Sequence, residues 1–199
     1  MSKWIISPEK FLNPDEIKKL RKYVAEQAII SKSKGRQIAV RNQLIIELAL
    51  GTGLRVSEMA NLKIRKMYLG KGQNSLLVKN GKGGKSRIVA FNAPLKKLIV
   101  EYLKYRRSLS PFLFHSERYE KISRFGLGRV FKCIAKAAGI SDHHSIHSLR
   151  HSYATNLYKV SNYNLRLVQK QLGHSSITTT SVYSDVISED LDEALERLD

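Results

Sequence analysis

The sequence holds a single cysteine, Cys133, so no disulfide can form within the chain and a reducing, cytoplasmic setting is expected. It has no apolar run long enough to cross a bilayer, no basic amphipathic helix and no lipidation signal. Met1 to Lys10 lacks the charged-then-apolar layout of a secretory signal. Internal repeats, low-complexity tracts and Gly-Ser linkers are also missing, which points to one domain for 199 residues. No cluster of carboxylates suits a divalent cation, and His143 and His144 beside Asp142 read as a local turn rather than a metal site. Neither a metal nor another cofactor is expected.

Acidic residues are scarce: 17 Asp and Glu stand against 35 Lys and Arg, for a net charge of +18. A polyanion is the natural partner of such a chain, and nucleic acid fits better than an anionic membrane because nothing here anchors to lipid. The charge is uneven. Residues 184–199 carry seven acids and one base, which leaves the rest of the chain at +24. Phosphate attraction therefore belongs to the body, while the acidic tail is expected to dock on protein.

Local patterns predict a mainly helical domain with a small antiparallel β-sheet, an α+β arrangement. Asn13 suits a helix cap, Pro14 a first helical position, and Asp15 and Glu16 a first turn, so a helix is expected over 11–27. Residues 31–36 lack apolar periodicity and are expected to form a solvated basic loop, with a phosphate contact as the alternative use. Leu44, Ile45, Leu48 and Ala49 recur at helical spacing over 40–50; Gly51 and Gly53 should end that helix, and another should begin near Arg55. The runs 75–80 and 85–92, joined through Gly81, Lys82, Gly83 and Gly84, predict a β-hairpin with a lysine at its tip. Beyond Pro94 the pattern is helical over about 95–107, 123–138, 147–160, 164–172, 176–183 and 188–198. Cys133, between Phe131 and Ile134, is expected to be a buried small hydrophobe, and Trp4, Phe112 and Phe114 are read as packing residues.

Four short segments carry candidate chemistry. Residues 51–62 read Gly-Thr-Gly-Leu-Arg-Val-Ser-Glu-Met-Ala-Asn-Leu, with Glu58 three residues after Arg55, where an acid can orient the guanidinium. By itself such a pair is most often a surface salt bridge. Residues 147–150, His-Ser-Leu-Arg, put His147 and Arg150 on one helix face, an arrangement that alone is no more than a solvated helix end. Gln-Leu-Gly-His at 171–174 places His174 just past a helix stop at Gly173, and Tyr183 follows nine residues later. The fourth segment is the Gly-Lys-Gly-Gly-Lys turn holding Lys82 and Lys85.

Taken in order, these segments resemble the signatures of the tyrosine recombinase (integrase) family, to which Xer, Cre and lambda integrase belong, over residues 11–186. The resemblance implies a DNA breaking and rejoining domain over 1–186 with catalytic residues Arg55, Lys82, His147, Arg150, His174 and Tyr183. In the family pattern Tyr183 is the covalent nucleophile, Lys82 the acid for the leaving 5′ oxygen, with Lys85 the fallback, and His147 accepts or relays the tyrosine proton. Arginine forks suit nonbridging phosphate oxygens and stabilise the doubly charged phosphorane without a metal. The product would be a 3′ phosphotyrosine.

The same resemblance implies double-stranded DNA as partner and self-association into a tetrameric synapse. It makes residues 187–199, with Ile187, Leu191, Ala194, Leu195 and Leu198 at helical spacing, an amphipathic acidic helix for a neighbouring protomer or for the chain's own body. Larger family members carry a helical domain before the catalytic one, and this chain starts at the catalytic domain, as either a minimal recombinase or a fragment. A catalytically silent DNA-binding regulator and a type IB topoisomerase are the alternatives on the same chemistry.

Overall fold

The computed structural model describes residues 10–79, 86–116 and 119–173. The first helix, α1 (Pro14–Ser33), begins as its sequence dictates: the Asn13 side chain accepts from the Glu16 N–H at 2.9 Å, and the Glu16 carboxylate accepts from the Asn13 N–H at 2.9 Å. Such a reciprocal cap is worth about 1 kcal/mol. Its inward stripe, Ile17, Leu20, Val24 and Ala28, lies against α2 (Ile38–Thr52). In α2 the residues Val40, Leu44, Ile45, Ile46, Leu48, Ala49 and Leu50 are all buried, so this helix is apolar on nearly every side. That is the pattern of a central helix, and α2 packs against α1 and against α4 (Ala93–Tyr105), α5 (Arg124–Ala137) and α6 (Ile146–Val160).

Between α2 and α4 the chain forms the short α3 (Val56–Ala60), a 3-10 turn at Ile64–Lys66, and three strands, β1 (Met67–Tyr68), β2 (Ser75–Val78) and β3 (Arg87–Ala90). The strands are antiparallel in the order β1-β2-β3, with Leu76 opposite Val89 and Val78 opposite Arg87. Leu76, Val78 and Val89 point into the core, so one face of the sheet is buried as its alternation requires. The last described helix, α7 (Leu165–Leu172), follows a turn in which Asn162 and Tyr163 have φ of 52° and 60°. Its Val168 and Leu172 join Ala154 and Tyr158 of α6 in a small second core.

The expected fold class holds, with local differences that have physical causes. Helix α1 runs through residues 31–33, expected as loop, because Ser31 is buried and its hydroxyl donates to the Arg36 carbonyl at 2.9 Å, while Lys32 pairs with Glu101. Gly51 stays helical instead of ending α2; a Cβ there would lie 2.8 Å from Leu95 Cδ2, so the glycine serves close packing of α4. Cys133 is exposed, contrary to expectation, because Leu127, Phe131, Ile134 and Ala135 occupy the buried stripe of α5. Phe114 is core, and Phe112 lies under the ammonium groups of Lys63 and Lys121, 5.1 and 5.3 Å from its ring centre. His144 is buried and pairs with Glu16 at 3.3 Å. Trp4, the hairpin tip and the helices expected over 176–183 and 188–198 lie outside the described residues. No helix among the described residues is long and apolar enough to cross a membrane.

Candidate active site

The site is built around the turn that closes α2. Gly53 takes the left-handed conformation, φ 60°, and its N–H donates to the Ala49 carbonyl at 3.1 Å. A Cβ at this position would lie 2.3 Å from Tyr153 Cδ1 and 2.8 Å from Leu172 Cδ2, so α6 and α7 reach the turn only because residue 53 has no side chain. The turn sends Leu54 into the core and places Arg55 at the cap position of α3 in extended backbone.

Glu58, one turn into α3, gathers the local charge. It accepts the Arg55 backbone N–H on Oε2 at 2.9 Å and Arg55 Nη1 on Oε1 at 3.0 Å. From β3, Arg87 lays its fork on the same carboxylate, Nη1 to Oε1 at 2.8 Å and Nη2 to Oε2 at 2.9 Å. Only 8% of the Glu58 side chain is exposed. Burial pushes its carboxyl up, but the bonds from Arg87 and the Arg55 backbone, with both guanidinium charges, hold it below the usual carboxylate range. Glu58 is thus a charged anchor for two arginines. Among the described residues, only Nη1 of the Arg55 guanidinium is engaged, so that side chain keeps donors for an incoming anion.

The end of α7 is drawn to the same place. Arg87 Nε donates to the Gln171 carbonyl at 3.2 Å. The Gln171 side chain accepts from the Ala90 N–H at 3.4 Å and donates to the Ala90 carbonyl at 2.6 Å, stitching α7 to the edge of β3. From α6, Arg150 donates Nη1 to the Gly53 carbonyl and Nη2 to the Leu172 carbonyl at 3.1 Å. It is 7% exposed, and a buried guanidinium is costly unless its N–H groups are bonded. Here it joins the α2–α3 turn to the C-terminus of α7, where carbonyl oxygens and the negative helix end favour a cation.

Two histidines flank Arg150 on α6. Partial burial of the ring and the Arg150 charge lower the His147 imidazole below its ordinary range. His151 is pushed down to about 4 by burial and by the charges of Arg150, His147 and Lys10. Both are neutral near pH 7, and His147 lies at the surface with a ring able to accept a proton. Burial raises the Tyr153 phenol against its bond to Gln171 and the Arg150 charge, and its ring lies against the Gly53 turn.

Of the six residues singled out in the sequence, Arg55, His147 and Arg150 fall within the described residues: Arg55 follows the Gly53 turn to which Arg150 bonds, and His147 lies three residues before Arg150 on α6, where the Arg150 charge acts on it. Lys82 and its fallback Lys85 lie in the connection between β2 and β3, His174 follows Gly173 directly, and Tyr183 comes nine residues later; these lie outside the described residues. Sequence reasoning missed Arg87 and gave Gln171 no role. Arg87 sits in a run legible only as strand, and its partner Glu58 is 29 positions earlier, so no local spacing betrays the pair.

The phage integrase family model matches residues 10–189. Tyrosine recombinase XerA of Pyrococcus furiosus is 40% identical over 191 residues, covering 94% of this chain and 61% of that protein. Tyrosine recombinase XerC of Lactobacillus leichmannii is 35% identical over 167 residues, 80% of this chain and 55% of that protein. Among solved structures, the XerH site-specific recombinase bound to palindromic difH substrate, a post-cleavage complex, superposes with a TM-score of 0.78 at 29% identity, covering 95% of this chain and 53% of that one. XerA recombinase gives 0.75 at 29%, covering 94% and 65%. The chain spans between half and two thirds of the length of these relatives. With the family model matched across nearly its whole length and the arginine turn built as described, the chain belongs to the phage integrase family.

Proposed function

We propose that this chain is the catalytic domain of a site-specific DNA recombinase that cleaves and rejoins strands through Tyr183. The observation that carries the proposal is the α2–α3 turn, where Arg55 is anchored by Glu58 and Arg150 by the Gly53 carbonyl, with His147 close enough to Arg150 for its charge to lower the imidazole. It is supported by the match to recombinases whose solved neighbours include a complex with DNA.

In this reading the Tyr183 hydroxyl oxygen attacks the scissile phosphorus as its proton passes to His147. The P–O5′ bond breaks as Lys82 gives a proton to the leaving oxygen. The products are a 3′ phosphotyrosine and a free 5′ hydroxyl, and attack by another 5′ hydroxyl reverses the step without ATP. An unperturbed phenol has a pKa of about 10, so the proton acceptor matters. The transition state carries one more negative charge than the diester, and cations fixed beforehand stabilise it preferentially. His174 adds a hydrogen bond to the same phosphate. This supply of fixed positive charge takes the place of a divalent metal on the phosphate. The partner is double-stranded DNA, on which protomers assemble as a synapse, in the cytoplasm. The catalytic domain covers 1–186, and the amphipathic acidic segment 187–199 docks on a neighbouring protomer or on the chain's own body.

The test is incubation of the full chain with nicked duplexes of randomised sequence, without metal or nucleotide. A protein-linked DNA band on a denaturing gel that is lost in Tyr183→Phe supports the reading, and the captured DNA yields the site. Salt-sensitive binding with no band would mark a silent DNA-binding regulator. Relaxation of plasmid without site preference would mark a topoisomerase.

A further inference from the structure

We propose that Arg87 is a positioning residue of the cleavage site, which clamps Glu58 and the last turn of α7 together and so fixes the direction of the Arg55 guanidinium. The inference rests on the recombinase reading above and adds a residue that the signature motifs do not contain.

Three observations carry it. Arg87 takes both oxygens of Glu58 with its fork, at 2.8 and 2.9 Å, and gives its Nε–H to the Gln171 carbonyl at 3.2 Å. All three of its guanidinium nitrogens thus have a partner, and 13% of its side chain is exposed. Second, the packing over it is close: a Cβ on Gly173, which has φ 67°, would lie 2.5 Å from Arg87 Cδ and 2.7 Å from its Nε. The chain leaves α7 across the Arg87 side chain, on its way to residue 174. Third, Arg87 opens β3 opposite Val78, at the base of the connection that contains Lys82.

The physical consequence concerns how Arg55 can point. A buried carboxylate left with one cation would draw it into a two-pronged pair, because each unsatisfied lone pair in a site of low polarity is costly. Arg87 fills that role from the other side. Among the described residues Arg55 is then held only by its backbone N–H and Nη1, and the rest of its fork remains for a phosphate oxygen. Without Arg87, the Arg55 guanidinium would rotate onto Glu58, and the end of α7 would lose one of the two arginines that bond its final carbonyls. The role is geometric, so it should show in the rate of the chemical step and little in DNA affinity.

The experiment compares the full wild-type chain with Arg87→Gln and Arg87→Lys on the duplex obtained by adduct capture, carrying at the scissile position either the ordinary diester or a neutral methylphosphonate. A methylphosphonate transition state bears one negative charge less and depends less on aimed cations. Arg87→Gln should slow single-turnover adduct formation on the diester by about a hundredfold, the scale of a misplaced catalytic group. Binding in a mobility assay should change by less than about threefold, and on the methylphosphonate most of the deficit should vanish. Arg87→Lys, which keeps the charge and loses the fork, should fall between. Equal slowing on both substrates, or a loss of binding that matches the loss of rate, would overturn the proposal.

A readout free of cleavage separates this idea from the reading beneath it. Carbon-13 titration of the Glu58 carboxyl should give a midpoint that moves up in Arg87→Gln, and amide exchange at Gly173 should accelerate. If wild type forms no adduct while both of these move, the clamp stands and the cleavage reading fails. If neither moves in a variant that melts like wild type, the clamp is wrong whatever the cleavage result. Should Arg87→Gln not fold, Arg87→Lys carries the same comparisons.

Discussion

Arg150 and its neighbours show how a single helix turn sets several protonation states. The Arg150 guanidinium is fixed by main-chain carbonyls, and its charge then lowers the imidazoles of His147 and His151 together with burial. His151, pushed down to about 4, binds its proton far more weakly in the folded chain than in the unfolded one, where an imidazole titrates near 6.5. The unfolded state thus takes up more protons as pH falls, so the stability contributed by neutral His151 is complete above about pH 6.5 and disappears between there and about pH 4. Glu58 behaves alike in a lower window: its depressed carboxyl contributes stability that is lost as pH drops below the ordinary carboxylate value. We expect urea unfolding to show a loss on the order of 2 kcal/mol between pH 7 and pH 4.5 that is largely absent in His151→Gln. A wild-type profile flat across that interval would contradict the assignment.

At the scale of elements, the fold was legible wherever one periodicity or one cap decided the matter. Asn13, Pro14 and Glu16 announce α1, and the stripe from Leu44 to Ala49 announces α2. What escaped were features settled by tertiary contact. Strand β1 is two residues long and exists because Met67 and Tyr68 pair with β2, which no local pattern encodes. Gly51 and Gly53 look alike in the sequence, yet one lies inside α2 beneath Leu95 and the other ends the helix, a choice made by α4, α6 and α7. The candidate site divides the same way: Arg55, His147 and Arg150 stand out by motif, whereas the Glu58–Arg87–Gln171 chain spans three elements and is invisible to spacing. Two glycine replacements should separate these roles. Gly53→Ala combines left-handed backbone with a side chain 2.3 Å from the Tyr153 ring and should cost about 2–4 kcal/mol in urea unfolding. Gly128→Ala on α5 meets open space and should stabilise by about 0.5–1 kcal/mol. Similar effects at both positions would show that the α2–α3 turn is not packed as described.

On the scale of the whole molecule, the excess of positive charge and its absence from the end of the chain divide the labour. The body, at +24, is suited to a polyanion, and residues 184–199, with seven acids and one base, are suited to a protein surface. The chain also spans only 61% of its Pyrococcus furiosus relative. Truncation after Ser184 should leave binding to a single duplex intact or slightly tighter, since it removes net negative charge, and should abolish higher-order complexes in native gels and sedimentation. Unchanged assembly on DNA would remove the tail from the account.

In the proposed reaction Tyr183 becomes covalently joined to DNA through a phosphate held by Arg55 and Arg150. The most direct measurement is mass mapping of the trapped adduct after nuclease and protease digestion. A nucleotide remnant is expected on the peptide containing Tyr183, linked through a 3′ phosphate, with a free 5′ hydroxyl on the released strand. A remnant on another residue, or a 5′ phosphate linkage, would contradict it.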